Sequence, residues 1–308
     1  MDKAYLSRER PPMDLQSLRL FVAIMETGSI TRAAQRENIA ISAVSKRLGL
    51  LEARIGSKLF MRHPNGLEPT PAAAVLLRNA RTVLRNLAQM QLEMAEFSEG
   101  VRGTVSIAAS IAIASNYLPD ELRSFSLSHP GVTISVHDAL SRQAVEMVKD
   151  GAADLGIFAE PYSAGDLPTV AYKTEQLVAV LPAGHPLSTR RALTLAEMVS
   201  YDFVLGRPGS SLTTLIERAA AAAGSLPRFR VQVSGSEAIA RMVEAGLGVS
   251  ILPAAMARPR RTAGMVLRPL REPWASRRLR LCFPPGEATT PARLLVEHLS
   301  AAHRAEPS

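Results

Sequence analysis

Ser42, Ser45, Lys46 and Gly49 fall on one side of a short segment whose other side carries Val44, Leu48 and Leu51 at i, i+4 and i+7. That spacing predicts an amphipathic helix near residues 43–51, with an apolar stripe beneath a small, polar, basic outer face. Hydroxyls and an ammonium on a narrow face recognise other molecules by hydrogen bonds and charge, and such a face enters a DNA major groove without steric conflict. The patterns that make and break covalent bonds are missing from the sequence. No Gly-x-Ser-x-Gly, P-loop or zinc spacing occurs, and GLGVSI at Gly246 lacks the third glycine of a dinucleotide fingerprint. The single cysteine, Cys282, stands just before Pro284-Pro285 with no histidine nearby in sequence, so it reads as a small buried hydrophobe. Recognition rather than catalysis is expected, with no cofactor and no metal.

The recognition face needs elements to hold it. A short helix over residues 30–36 buries Ile30, Ala33 and Ala34, and Asn38 follows where the chain must reverse quickly, a residue that tolerates positive φ. Before it, Asp14 suits an N-cap for a helix with Leu18, Phe21, Val22 and Met25 on one face; Gly28 ends that helix and Ser29 caps the next. After it, LFMR and GLEP flank Pro64-Asn65-Gly66, a hairpin signal, so a two-stranded wing is expected with Arg62 and His63 directed to a phosphate backbone. Taken alone, the two short helices also fit a plain amphipathic pair with a solvated face.

Thr70-Pro71 then starts a long helix, threonine as N-cap and proline at the first helical position. Leu76, Ala80, Val83, Leu87, Met90, Met94 and Phe97 alternate at spacings of four and three, a heptad seam on a helix roughly 40 Å long at ~1.5 Å per residue. With no obvious partner nearby in sequence, the seam predicts a homodimer that brings two reading heads to two half-sites on DNA. Packing of the helix on its own domain is the alternative.

At 308 residues and 47% hydrophobic content the chain can build two or more cores. A net charge of +8 and a pI of about 10.1 favour an anionic partner, nucleic acid first among them. Residues 1–12 read as a charged, disordered tail, and neither a signal peptide nor an apolar run of ~20 residues is present, so a cytoplasmic protein without a membrane partner is expected. From Thr104 the texture alternates strand and helix, predicting an α/β domain with largely parallel strands. A second unit starts near Thr174, and RRLRLCFPPG returns to the first. Two crossings imply two lobes with a cleft at the strand ends.

MDLQSLRLFVAIMETGSITRAA, SAVSKRLGLLEARIGSKLFMR, the Gly-His-Pro-Leu stretch at Gly184 to Leu187 and GLGVSILP at Gly246 to Pro253 occur in this order over one chain. With them the sequence resembles the LysR-type transcriptional regulators from Met13 to about His303. The resemblance implies a winged helix-turn-helix (13–70), a dimerising linker helix (71–98) and a two-subdomain α/β effector domain like periplasmic solute-binding proteins (103–304). Its lobe 1 would span about 103–173 plus 275–304 and its lobe 2 about 174–274. Also implied are assembly to tetramers, dyad-symmetric double-stranded promoter DNA, a small-molecule effector, and RNA polymerase as a partner. Among site residues it implies phosphate contacts at Thr31 and Arg32, groove contacts at Ser42, Ala43, Ser45, Lys46 and Arg47, and a backbone contact at Arg62. For the effector it implies Ser110, Ile111, Ser141, Arg142, Phe158 and Ala159 in the first lobe, and Gly206, Arg207, Ser210, Ser234 and Ser236 in the second. Hydroxyls, helix N-terminal amides and arginines would suit a carboxylate, although Ser110, Ser141 and Ser236 equally suit plain N-caps. The sequence departs from the pattern at Ala40-Ile41, where Ser-Gln is common, and at Asn65, often Arg. Loss of the glutamine shifts the expected specificity toward thymine methyl contacts and DNA shape. A solute sensor acting through a protein partner is the reading from a different class.

Overall fold

Local signals set the first helices. The Asp14 carboxylate accepts from the Ser17 amide at 2.6 Å at the start of α1 (Leu15–Thr27), which closes on Gly28 at φ 65°. Ser29 caps α2 (Ile30–Arg36), and Asn38 makes the reversal at φ 55° before α3 (Ile41–Ile55). The computed structural model describes residues 13–63, 66–99, 101–286 and 288–304. The expected tail and the wing residues Pro64 and Asn65 lie outside these, as do the side chains of Arg62, His63 and Phe97.

The chain divides into two units, Met1–Ser98 and Glu99–Ser308. In the first, Phe21, Ile24, Ala33, Val44, Leu51 and Leu59 form one core. Strands β1 (Phe60–His63) and β2 (Gly66–Pro69) pair antiparallel with His63 opposite Gly66, so Gly66 belongs to the strand. Glu52, nearly buried, takes the Leu59 amide at 2.9 Å and Lys58 at 2.7 Å, which fixes the wing to the end of α3. Helix α4 (Pro71–Glu99) begins at Thr70, whose hydroxyl accepts from the Ala73 amide. Glu26 on α1 accepts from Arg36 at 2.6 Å and Arg81 at 3.3 Å, binding α2 and α4 to it. The heptad seam divides: Ala80 is buried and Leu76 packs against this core, whereas Val83, Met90 and Met94 are exposed.

The second unit is built on β3 (Gly103–Ala109), α5 (Ile111–Asn116), α6 (Leu118–Ser128), β4 (Val132–Asp138), α7 (Ser141–Lys149), β5 (Leu155–Ala159) and β6 (Thr169–Pro182). It continues through α8 (Leu195–Met198), β7 (Asp202–Leu205), α9 (Ser211–Ala222), β8 (Arg228–Gln232), α10 (Ser236–Glu244) and β9 (Ser250–Pro253), then α11 (Ala254–Ala257), β10 (Met265–Pro269), β11 (Ser276–Cys282) and α12 (Thr290–Arg304). Pro119 has no N–H to continue α5, so the chain breaks at Tyr117 between α5 and α6. Among the described residues no helix is long and apolar enough to cross a membrane.

β6 serves two sheets. Its first half pairs with β11 beside β5, β3 and β4, over a core containing Ile107, Phe125, Tyr172 and Leu281. Its second half pairs with β9 and β10, facing a core with Leu181, Phe203, Ile216 and Ile251. The β3–β4, β3–β5 and β7–β8 pairs are parallel, but β6 and β11 run in opposite directions, so the middle of the domain is antiparallel where strand–helix alternation predicts largely parallel strands.

The glycines of GLGVSILP have steric causes. Gly246 ends α10 at φ 78°, and Gly248, at φ 156°, lies so close to β7 that an added Cβ would stand 2.4 Å from the Asp202 carbonyl oxygen. Beyond it Val249 exchanges backbone hydrogen bonds with Asp202 and Val204. Gly248→Ala is expected to cost roughly 2–3 kcal/mol, read as a lower urea midpoint in the fluorescence of Trp274, the chain's one tryptophan, which packs on this core. An unchanged midpoint would contradict the steric account.

Candidate nucleic-acid interface and effector cleft

On α3, Val44 and Leu51 are buried while Ser42, Ser45, Lys46 and Gly49 are on the outer side, so the face inferred from spacing stands free. Ile41 is 50% exposed beside it, and Ala43 is half-buried. A Cβ added to Gly49 would meet nothing within 4 Å, so this glycine is not demanded by the fold, and it keeps the face flat for an approaching surface. Helix α3 starts two residues before the expected position. Its N-cap, Ala40, offers no side-chain oxygen, which leaves the first-turn amides without a side-chain cap and open to an anion.

Some cations of this unit are held by carboxylates and others stand clear of them. Arg36 and Arg81 are neutralised by Glu26, and Lys58 by Glu52. Arg32 and Lys46 are exposed and have no ion-pair partner among the described residues, and Thr31 is exposed next to Arg32. Arg47 belongs with the paired group: its guanidinium lies 3.1 Å from Asp14 and turns back to the first helix instead of joining the outer face. The Ser17 amide, with Arg47 adding its charge, holds the Asp14 carboxyl below its ordinary value. Arg62 stands in β1, with its side chain outside the described residues.

In the second unit the strand ends and helix N-termini enclose a cavity of about 100 Å³. Ser110, Ile111, Gly206, Arg207, Ser210, Ser234 and Ser236, all expected from sequence, line it. Ser210 caps α9, accepting from the Thr213 amide at 3.2 Å, and Ser110 caps α5. Four expected residues are elsewhere. Ser141 is buried with its hydroxyl accepting from the Ala159 amide at 3.1 Å, because the start of α7 packs back on β5; Leu140 takes the place at the cavity. Ala159 itself is buried in the core beneath the first sheet. Phe158 lies inside an apolar cluster with Cys282, and Arg142 is exposed away from the lining. Arg207, at the rim, pairs with Asp138 at 3.3 Å, both side chains about half-exposed. The buried Cys282 thiol is pushed up to about 11 by desolvation, which makes it a poor nucleophile.

Sequence reasoning missed Arg277. It lines the cavity from β11, directly opposite Glu175 of β6 in the strand register, and its Nε donates to Glu175 at 2.5 Å. Tyr117 donates to the other Glu175 oxygen at 2.9 Å, and Arg277 Nη1 reaches Ser211 at 3.3 Å. A signal was present: Glu175 stands two residues before Leu177 and Arg277 two before Leu279, so each charge shares the parity of core leucines.

Residues 15–74 match the model described as a bacterial regulatory helix-turn-helix protein of the lysR family, and residues 98–304 match the LysR substrate binding domain. The RuBisCO operon transcriptional regulator of Allochromatium vinosum is 30% identical over 242 residues, 78% of this chain and 79% of that protein. A full-length OxyR variant from Pseudomonas aeruginosa superposes with a TM-score of 0.75 at 20% identity, covering 96% of this chain and 95% of that one. Full-length CbnR complexed with its target DNA superposes with a TM-score of 0.67 at 23% identity, covering 94% and 100%.

The pairing pattern separates two neighbouring cations. Lys46→Ala is expected to leave thermal stability unchanged and weaken duplex binding several-fold, as loss of one phosphate or base contact does. Arg47→Ala is expected to act on the fold, lowering stability by up to about 1 kcal/mol for a partly exposed pair, with a smaller loss in binding. Equal losses of binding with unchanged melting for both variants would contradict the assignment of Arg47 to Asp14.

Proposed function

The chain belongs to the LysR family of DNA-binding transcriptional regulators with an effector-binding domain, and from that premise we propose that it reads a dyad-symmetric promoter site as a dimer. A small molecule in the cleft of the second unit alters how the paired heads hold that site. The observation that carries the reading is the outer face of α3, which holds two serines, an unpaired lysine and a glycine that no internal contact requires. Ile41 beside them fits the thymine-methyl contacts that replace an absent glutamine.

Dimerisation is supported by the exposed part of the seam on α4, where Val83, Met90 and Met94 are 44%, 54% and 67% exposed. Such large apolar side chains, one to two turns apart on a long helix, suit a second copy of the same helix. Further assembly to a tetramer, contact with RNA polymerase and a cytoplasmic location complete the proposal. A ligand achieves regulation only by binding one arrangement of the heads better than another, which fixes its effect at its differential affinity.

Selection of bound sequences from random duplexes at moderate salt tests the proposal. Enrichment of a motif with two related half-sites is expected; no enrichment would favour a sensor that works through a protein partner. Met90→Arg is expected to release monomers and to weaken binding to the selected duplex, measured by light scattering and anisotropy. An unchanged solution mass would contradict the role of the seam.

A further inference from the structure

Arg277 is the most deeply enclosed charge of the effector cavity, with its side chain 8% exposed, and it is incompletely used by the fold. Nε is committed to Glu175 and Nη1 to Ser211, while Nη2 has no partner among the described residues and the residue lines open space. Glu175, fully enclosed, holds the guanidinium from behind and is itself held by the Tyr117 hydroxyl. This leaves Nη2 and the second N–H of Nη1 for an acceptor with two oxygens.

A second group points the same way. Ser236, the first residue of α10, is 7% exposed, lines the cavity, and its hydroxyl has no partner among the described residues. Gly235 before it provides no side-chain cap, so the first-turn amides also lack one. Charge decides which acceptor fits. Arg277 and Glu175 cancel, the exposed rim pair of Arg207 and Asp138 cancels too, and what is left is the positive ends of α9 and α10, worth roughly half a charge each. Together they balance one negative charge. The remaining walls are apolar, with Leu205, Ile239, Ile251 and Met256 among them. A volume of about 100 Å³ is smaller than the ~150 Å³ cavity that holds benzene.

We propose that Arg277 is the residue that recognises the effector, that Glu175 and Tyr117 are its positioning residues, and that the effector class is a short-chain monocarboxylate. Its carboxylate lies between the Arg277 fork and the first turn of α10, with its apolar end among the aliphatic walls. This inference rests on the effector cleft proposed above and adds the ligand's chemistry. It also moves recognition from Arg142 and Arg207 to a residue at the start of β11, paired with β6, the strand that serves both sheets, where a ligand's pull acts on the crossing itself.

The test is a thermal-shift titration of the full chain with acetate, propionate and butyrate, against propionamide, succinate and sodium chloride at matched ionic strength. Propionate and butyrate are expected to raise the melting temperature of the wild type; propionamide and succinate are not. Arg277→Gln alone strands the Glu175 charge, so the main variant is the double Glu175→Gln, Arg277→Gln, which keeps the Tyr117 bond and is expected to melt near the wild type without ligand. Its affinity for propionate should fall at least about tenfold. Ser236→Ala, which disturbs no hydrogen bond of the fold among the described residues, should weaken propionate several-fold. Equal stabilisation of wild type and variants, equal stabilisation by propionamide, or no response to any monocarboxylate would overturn the proposal. In each of those cases, retained binding of the selected duplex by the same preparation would leave the regulator reading intact.

Discussion

Two strands cross between the lobes of the α/β unit, and the fold depends on how they cross. β6 is long enough to supply an edge to each sheet, β11 returns beside it antiparallel, and Glu175 and Arg277 face each other in the register at that place. A charge in this position is expensive to bury alone, with costs of roughly 3–5 kcal/mol when one partner of a buried pair is removed. The pair persists because Tyr117 from one lobe and Ser211 from the other complete its hydrogen bonds. A leucine pair would pack the crossing as well. What the ion pair adds is a polar floor for the cavity and a connection between the lobes.

The helix-turn-helix unit shows the complementary arrangement. Arg36, Arg47 and Arg81 each pair with a carboxylate, which ties α1 to α2, α3 and α4, while Arg32 and Lys46 have no ion-pair partner among the described residues. Interior pairing sets the spacing of the helices, and under the proposed function the unpaired charges would supply the sequence-independent part of DNA affinity. On that proposal the flat surface at Gly49 and the apolar, exposed Ile41 would add shape and methyl contacts where amide donors are scarce. If the cleft and the heads are coupled, the coupling is reciprocal: a ligand that loosens the protein on DNA is itself held less tightly by the DNA-bound form.

Much of this is legible in the sequence because it is local. Asp14, Gly28, Ser29, Asn38 and Thr70 each act within four residues of themselves, so helix ends and the tight reversal follow from residue type. Where the local signal is absent, as at Ala40, periodicity alone places the start of α3 two residues late. Long-range facts are harder. The seam on α4 reads as one stripe, yet its first turns pack on their own core and only the later ones are exposed, a division that depends on where α1 lies. Strand-end positions predict the second lobe's lining well because serines and glycines there open helices. They fail at Ser141, Phe158 and Ala159 because α7 folds back on β5. Glu175 and Arg277, 102 residues apart, meet only through the strand register, although the parity of each with core leucines marks it as buried.

The measurement that tests the account most directly is the salt dependence of binding to a selected duplex by the full-length protein. If the unpaired basic side chains of two heads neutralise several phosphates, as proposed, a plot of log association constant against log salt should be linear and steep, with a slope of about −0.9 for each phosphate contacted. A flat plot would contradict the claim that the exposed face of α3 and the cations around it are built for DNA.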